Sequence, residues 1–274
     1  VLTPVYGAFD ARAKDANRRI IAVPLHRTTT NEYTVDYDAF KSAISQNDVK
    51  VFIHCNPHNP VGHVWTEEEM AQLFSICKQH NVLIISDEIH QDLITGSTPF
   101  TSALSVSNGS YVDHMITLSS VSKSFNMASL HQAEVMIPNE ALRHQYNAYK
   151  AQVYYTDADV IAETAITAAY THPEAEAWLD DVRAVIRENY EYLCNELLSA
   201  LPKLRISPMD GTYLAWIDFG AYVRAEDMHD LFENQCRIAP SFGEWFGGES
   251  YATFVRLNLA TSLANIKTAT HSII

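Results

Sequence analysis

The feature that most constrains the fold is a series of five short apolar runs rich in β-branched residues, at positions 20–23, 49–54, 82–85, 115–118 and 134–137. Continuous runs of this kind read as strands covered on both faces, the pattern of a parallel sheet rather than of a half-exposed antiparallel one. Between the second and third runs lies a well-marked helix. Thr66 and Glu69 have capping-box spacing, Met70, Leu73, Phe74 and Cys77 recur with helical period, and His80 and Asn81 end the pattern. Strand, helix, strand in that order requires a crossover connection and therefore an α/β layer.

From about residue 139 the pattern turns helical and runs to Leu201, where Pro202 stops it. Trp178, Val182, Val185 and Ile186 mark one apolar stripe, which Tyr190, Leu193 and Leu197 continue. The remainder mixes alternating strands at 213–218 and 253–258 with helices near 225–234 and after Thr261, an α+β pattern. The 274 residues are thus expected to form two units. The first is a large α/β domain with a mostly parallel sheet between helices, over residues 1–176. The second is a smaller α+β domain over residues 177–274.

Composition narrows the function classes. Acidic residues outnumber basic ones 33 to 19, for a net charge of −14. Such a surface repels phosphodiester backbones and anionic lipid, so nucleic acid and membrane are poor partners and small metabolites remain. No run approaches the ~18 apolar residues of a membrane span. The four cysteines lie far apart without a Cys-x-x-Cys pair, as expected of buried thiols in the reducing cytoplasm. Only nine glycines are present, and no glycine-rich phosphate cradle is visible.

In open parallel sheets ligands bind beyond the carboxyl ends of the strands. Three such ends are unusually polar: 56–62 (NPHNPVG), 86–90 (SDEIH) and 119–126 (SSVSKSFN). Singly, each has a plain structural reading: Asn-Pro marks turns, Ser or Asp after a strand caps the next helix, and lysine is a solvated charge. Together they match the parts of pyridoxal phosphate. Its aldehyde needs an amine such as Lys123 for a Schiff base. Its ring nitrogen stays protonated beside a carboxylate such as Asp87. Asn59 offers a donor to the phenolic oxygen, and Ser120 and Ser122 offer hydroxyls to the phosphate.

Other motifs lack their companions. Ser120-Val121-Ser122-Lys123 has the Ser-x-x-Lys form of acyl enzymes without a Ser-Asp-Asn or Lys-Thr-Gly partner. Lys123-Ser124 ends like a P-loop without the preceding glycines. His54 and His58 stand four apart, but Pro57 forbids the helix that would aim both at one metal, so no metal site is expected.

The segments CNPHNPVGHVWT (55–66), SDEIHQDL (86–93), SKSFN (122–126), GTYLAWIDF (211–219) and FVRLN (254–258) occur in an order that resembles the fold-type I pyridoxal-phosphate enzymes of the class I/II aminotransferase group. Within it the chain is most similar to the cystathionine β-lyase branch, the carbon–sulfur lyases of the MalY/PatB type. The resemblance implies Lys123 as Schiff-base lysine, Asp87 on the pyridine nitrogen, Asn59 on the phenolic oxygen, Arg256 on the substrate carboxylate and Tyr6 stacked on the cofactor ring. Arg256 also stands out by itself, because a guanidinium between Val255 and Leu257 in an apolar strand needs an anion, either a substrate or an internal carboxylate. His90 stands where many aminotransferases carry tyrosine, which favours the lyase branch; it either tunes the cofactor oxygen or packs.

The activity implied is α,β-elimination of cystathionine or another S-substituted cysteine to pyruvate, ammonia and a thiol. The alternatives are an aminotransferase with the same cofactor cradle and a regulatory or scaffold protein that keeps the fold with little turnover. The resemblance further implies a homodimer in the full-length protein and a small-molecule amino-acid substrate. It also implies a longer parent enzyme whose upstream arm carries the phosphate loop and substrate lid, so that these residues alone are expected to fold poorly and bind cofactor weakly.

Overall fold

In the computed structural model, which describes residues 1–155 and 159–274, three of the five apolar runs become adjacent parallel strands of one sheet. They are β1 (Val51–Cys55), β2 (Leu83–Asp87) and β3 (Met115–Ser119), in a register that sets Cys55 opposite Asp87 and Asp87 opposite Leu118. The fourth strand, β4 (Glu134–Met136), runs antiparallel to β3 and makes that edge mixed. The run at 20–23 does not join this sheet. Only Val23 enters a two-residue strand, Val23–Pro24, parallel to Leu2–Thr3. Pro24 has no N–H to extend a ladder, and Ile20 and Ile21 stay half-exposed.

The crossover helix α1 (Glu67–Gln79) starts where the capping box places it: Glu69 N donates to Thr66 Oγ1 at 3.2 Å, and Thr66 N donates to Glu69 Oε2 at 2.9 Å. Met70, Leu73, Phe74 and Cys77 are all buried in a core shared with Phe52, Ile84 and Met115. Burial of each large apolar side chain contributes about 1.5–3 kcal/mol, so this face, more than helix propensity, holds α1 to the sheet.

After β3 comes a single turn, α2 (Val121–Ser124). The long helical region resolves into α3 (Glu140–Gln152), α4 (Val160–Thr171) and α5 (Ala175–Ala200). Its expected continuity crosses residues 156–158, which lie outside the described residues. The buried stripe of α5 is Leu179, Ile186, Leu193 and Leu197, whereas Trp178 and Val185 of the expected stripe are 46% and 44% exposed. Trp178 instead stacks on Phe125, with centroids 5.6 Å apart.

The C-terminal sheet is antiparallel. Its strands are β5 (Arg205–Ile206), β6 (Leu214–Asp218), β7 (Ser241–Phe242) and β8 (Phe254–Asn258), in the order β7-β8-β6-β5. The helix expected near 225–234 is a 3₁₀ turn at Ala225–Asp227 followed by a π turn at Asp230–Gln235, in which Asp230 accepts from the side chains of both Asn234 and Gln235 at 2.8 Å. The last helix, α6 (Leu263–Ile273), packs with α5 over a second apolar cluster that includes Ala215, Ile217 and Val255. No helix among the described residues is long and apolar enough to cross a membrane.

Candidate active site

The loop after β1 is held from within. Asn56 is fully buried: its backbone N–H donates to Asp87 O at 2.9 Å, its side-chain amide donates to Thr101 O at 3.1 Å, and its Oδ1 accepts from Trp65 N at 3.2 Å. At the turn, Gly62 has φ +75°, a left-handed conformation that glycine adopts without strain. Gly211 N donates to Gly62 O at 2.9 Å, and a Cβ on Gly211 would come within 2.7 Å of the Pro57 ring. The segment leading into β6 therefore presses directly on the turn that carries Asn59.

The loop after β2 is fixed by Glu88, whose buried carboxylate accepts from Ser86 Oγ at 3.0 Å, Ser102 Oγ at 2.8 Å and Ala103 N at 2.8 Å. Its neighbour Asp87 turns the other way. Together with Tyr6, Asn59, His90, Lys123 and Arg256 it lines one cavity of roughly 360 Å³. Six residues separated by up to 250 positions thus share one wall system, because β1, β2 and β3 end side by side and β8 approaches them from the second sheet.

The charges in this cavity are poorly matched by the protein itself. Burial raises the Asp87 carboxyl above the ordinary carboxylate range, opposed by a hydrogen bond from Ile89 N at 3.1 Å and by the Lys123 charge. A carboxylate so placed gains from a cationic N–H partner. Arg256 has neutral partners: Nη1 donates to Asn59 Oδ1 at 2.8 Å, Nη2 donates to Ser241 Oγ at 3.1 Å, and the guanidinium lies 4.8 Å from the Phe246 ring centroid. Burial lowers its pKa, and among the described residues no carboxylate pairs with it, so the internal-anion reading of Arg256 finds no support in the geometry. His90 is held neutral, its pKa lowered to about 3 by burial and by the charges of Lys123 and Arg256. Its Nδ1 has no partner among the described residues, and its ring lies 5.4 Å from that of Tyr213.

Ser120 and Ser122, the two residues expected at the cofactor phosphate, border the cavity rather than line it. Ser120 Oγ accepts from Ser122 N at 3.0 Å and donates to Gln132 O at 2.6 Å, so this hydroxyl is engaged as the N-cap of α2. The Ser122 side chain borders an adjoining apolar groove with Trp178 and Val182, and neither serine lines the cavity of Asp87 and Arg256. In this geometry the Ser120 hydroxyl takes the capping role that the plain structural reading gives it.

Among the cavity residues to which the sequence assigns no role are Cys55, Tyr213 and Ser241. Cys55 was visible as the last residue of an apolar run, and Tyr213 as part of GTYLAW. Ser241 carries no local signal, since only the β7–β8 register, Ser241 opposite Arg256, brings it to the site.

Against known proteins, residues 1–273 match the family model described as aminotransferase class I and II. The chain is 32% identical over 97% of its length to cystathionine beta-lyase PatB of Bacillus subtilis (strain 168), spanning 68% of that protein. It is 31% identical over 93% of its length to protein MalY of Escherichia coli (strain K12), spanning 64% of it. Cystalysin from Treponema denticola, whose crystal structure contains a pyridoxal 5'-phosphate cofactor, superposes with a TM-score of 0.93 at 27% identity over 99% of this chain and 68% of that one. The pyridoxal-phosphate-bound C–S lyase from Staphylococcus hominis gives 0.91 at 29% identity, again over 99% and 68%. With the family match running the whole length of both sheets and a fold shared almost completely with these structures, the chain belongs to the aminotransferase class I and II family.

Proposed function

We propose that this chain carries the site of a pyridoxal-phosphate-dependent carbon–sulfur β-lyase, which converts cystathionine or a related S-substituted cysteine to pyruvate, ammonia and a thiol. The observation that carries the reading is one cavity with a lysine amine, a half-buried carboxylate held, among the described residues, by a single backbone donor, and a half-buried guanidinium whose partners there are all neutral. These are the groups that an aldehyde, a pyridinium nitrogen and an amino-acid carboxylate require. The names of the relatives support the same choice.

The residues fit the cofactor. Lys123 would bind its aldehyde carbon, Asp87 its ring nitrogen and Asn59 its phenolic oxygen, with Tyr6 beside the ring and His90 at the oxygen side. When bound, the cofactor supplies an electron-accepting ring that stabilises negative charge at the substrate Cα. The chain supplies the rest. Arg256 grips the α-carboxylate with its fork and so orients the Cα–H bond. The free Lys123 amine accepts the Cα proton. Asp87 keeps a proton on the facing nitrogen, and neutral His90 adds no third positive charge beside Lys123 and Arg256.

Two units divided near residue 176 suit the separate parallel and antiparallel sheets, while Trp216, Phe246 and Phe254 of the second unit join the apolar cluster of the first and Leu93 joins that of the second. A cytoplasmic setting suits four free cysteines. A homodimer suits the exposed apolar side chains along the end of α3 and the start of α4, among them Val153, Tyr154, Tyr155, Val160 and Ile161.

The deciding assay gives the protein cystathionine and pyridoxal phosphate and measures pyruvate and thiol. Both products are expected in equal amounts. Amino transfer to a keto acid without pyruvate identifies an aminotransferase, and absence of any imine absorbance identifies a scaffold.

A further inference from the structure

Asp92 joins three elements behind Lys123. Its Oδ2 accepts from Ser124 Oγ at 2.7 Å and from Tyr170 OH at 3.2 Å, and its backbone oxygen accepts from Arg183 Nε at 2.6 Å. Ser124 is 1% exposed and closes α2, the four-residue turn that carries Lys123. One helical turn is not self-supporting, because nucleation fixes several backbone dihedrals for a single hydrogen bond. Both ends of α2 must be held from outside. The Ser120 hydroxyl fixes the first end, and the charge-assisted bond from Ser124 to Asp92 fixes the second. Lys123 lies between the two anchors, so the direction of its stem follows the turn.

The same neighbours grip the next residue. Phe125 stacks on Trp178 of α5 and meets Tyr170 of α4 edge-on at 5.9 Å. Arg183 is itself steadied by Asp180 at 2.6 Å. Asp92 lies outside the lining of the cavity that holds Asp87 and Arg256.

We propose that Asp92 is a positioning residue: through Ser124 it holds the α2 turn so that the Lys123 amine is presented to the cavity, and through Tyr170 and Arg183 it ties that turn to α4 and α5. The proposal rests on the reading of Lys123 as the amine that condenses with the cofactor aldehyde.

The test follows the rate at which pyridoxal phosphate forms a borohydride-trappable adduct, mapped to Lys123 by mass spectrometry, together with the pH titration of the adduct's absorbance. Asp92→Ala and Ser124→Ala are each expected to slow trapping by on the order of tenfold and to shift the absorbance titration. The double variant is expected to be no slower than either single one, because both remove the same link. Ser124→Thr, which keeps the hydroxyl, restores the rate. Tyr170→Phe removes one tie to α4 but leaves the Ser124 and Arg183 bonds intact, and is expected to slow trapping much less than Ser124→Ala does.

Unchanged trapping in Ser124→Ala overturns the proposal, as does equal slowing in Tyr170→Phe, which would report general loosening. Should Asp92→Ala fail to fold, the Ser124→Ala and Ser124→Thr pair decides the matter. An unsubstituted protein that traps cofactor only at another lysine overturns the reading of Lys123 and the positioning with it, whereas rapid trapping at Lys123 in every variant overturns the positioning alone.

Discussion

Half-buried Arg256 and buried His54 show how far a single polar residue among apolar neighbours can be interpreted. Both sit in apolar surroundings, but Arg256 opens on a cavity and His54 does not. For Arg256 the fork geometry is the functional content, so Arg256→Lys keeps the charge and loses the bidentate grip as well as the bond to Asn59. The expected result is a fall of about 10- to 100-fold in kcat/KM for a cysteine thioether, carried largely by KM. Unchanged kinetics would remove Arg256 from carboxylate recognition.

His54 is enclosed by the rings of Phe52, Trp65 and Phe74, neither ring nitrogen has a partner among the described residues, and burial lowers its pKa to about 3. A base whose pKa is lowered in the folded state binds fewer protons there than when unfolded. Stability is therefore lost as pH falls below the unfolded value near 6.5, at about 1.4 kcal/mol per pH unit. His54→Leu removes this term. Relative to the unsubstituted protein, its stability is expected to improve by roughly 2 kcal/mol between pH 7 and pH 5, measured by urea unfolding. A constant difference across that range would mean that buried His54 takes up its proton as readily as in the unfolded chain.

At the scale of elements, legibility depended on whether the signal was local. The capping box of Thr66 and Glu69 and the four-residue apolar face of α1 are self-contained, and α1 forms where they place it. Lys123 and Asp87 were readable for a similar reason, since strand ends are visible along the chain. The orientation of a hydroxyl is not visible, and Ser120 spends its oxygen on capping and on Gln132. The stripe of α5 was misread because Trp178 finds a ring, Phe125, outside the helix's own core. Ser241 and the pressure of Gly211 on Pro57 arise only when distant segments pair. That last contact carries a prediction. Gly211→Ala must displace the turn bearing Asn59, which is expected to lower stability by about 1–3 kcal/mol in urea unfolding and to weaken cofactor binding in the same variant. A neutral substitution would show that the two loops are not coupled.

For the whole molecule, the two sheets have different logics. The parallel strands supply polar carboxyl ends, and the antiparallel sheet delivers Arg256 from the side, so that the cavity exists only where both meet. Class of fold and the order of motifs were readable because each strand run is short and bounded. The position of the run at 20–23 was not, since Pro24 removes it from the main ladder. The exposed apolar side chains at the junction of α3 and α4 predict self-association. Equilibrium sedimentation is expected to show a dimer, which Tyr154→Glu weakens; a monomer at all concentrations would contradict it.

The central claim, that Lys123 is the amine around which this cavity is organised, is tested most directly by one spectrum. The protein is incubated with pyridoxal phosphate, its visible absorbance recorded, and the adduct reduced with borohydride and mapped. The account predicts an imine band that disappears on reduction, a single modified peptide containing Lys123, and neither signal in Lys123→Ala. A band that persists in that variant, or an adduct on another lysine, would contradict it.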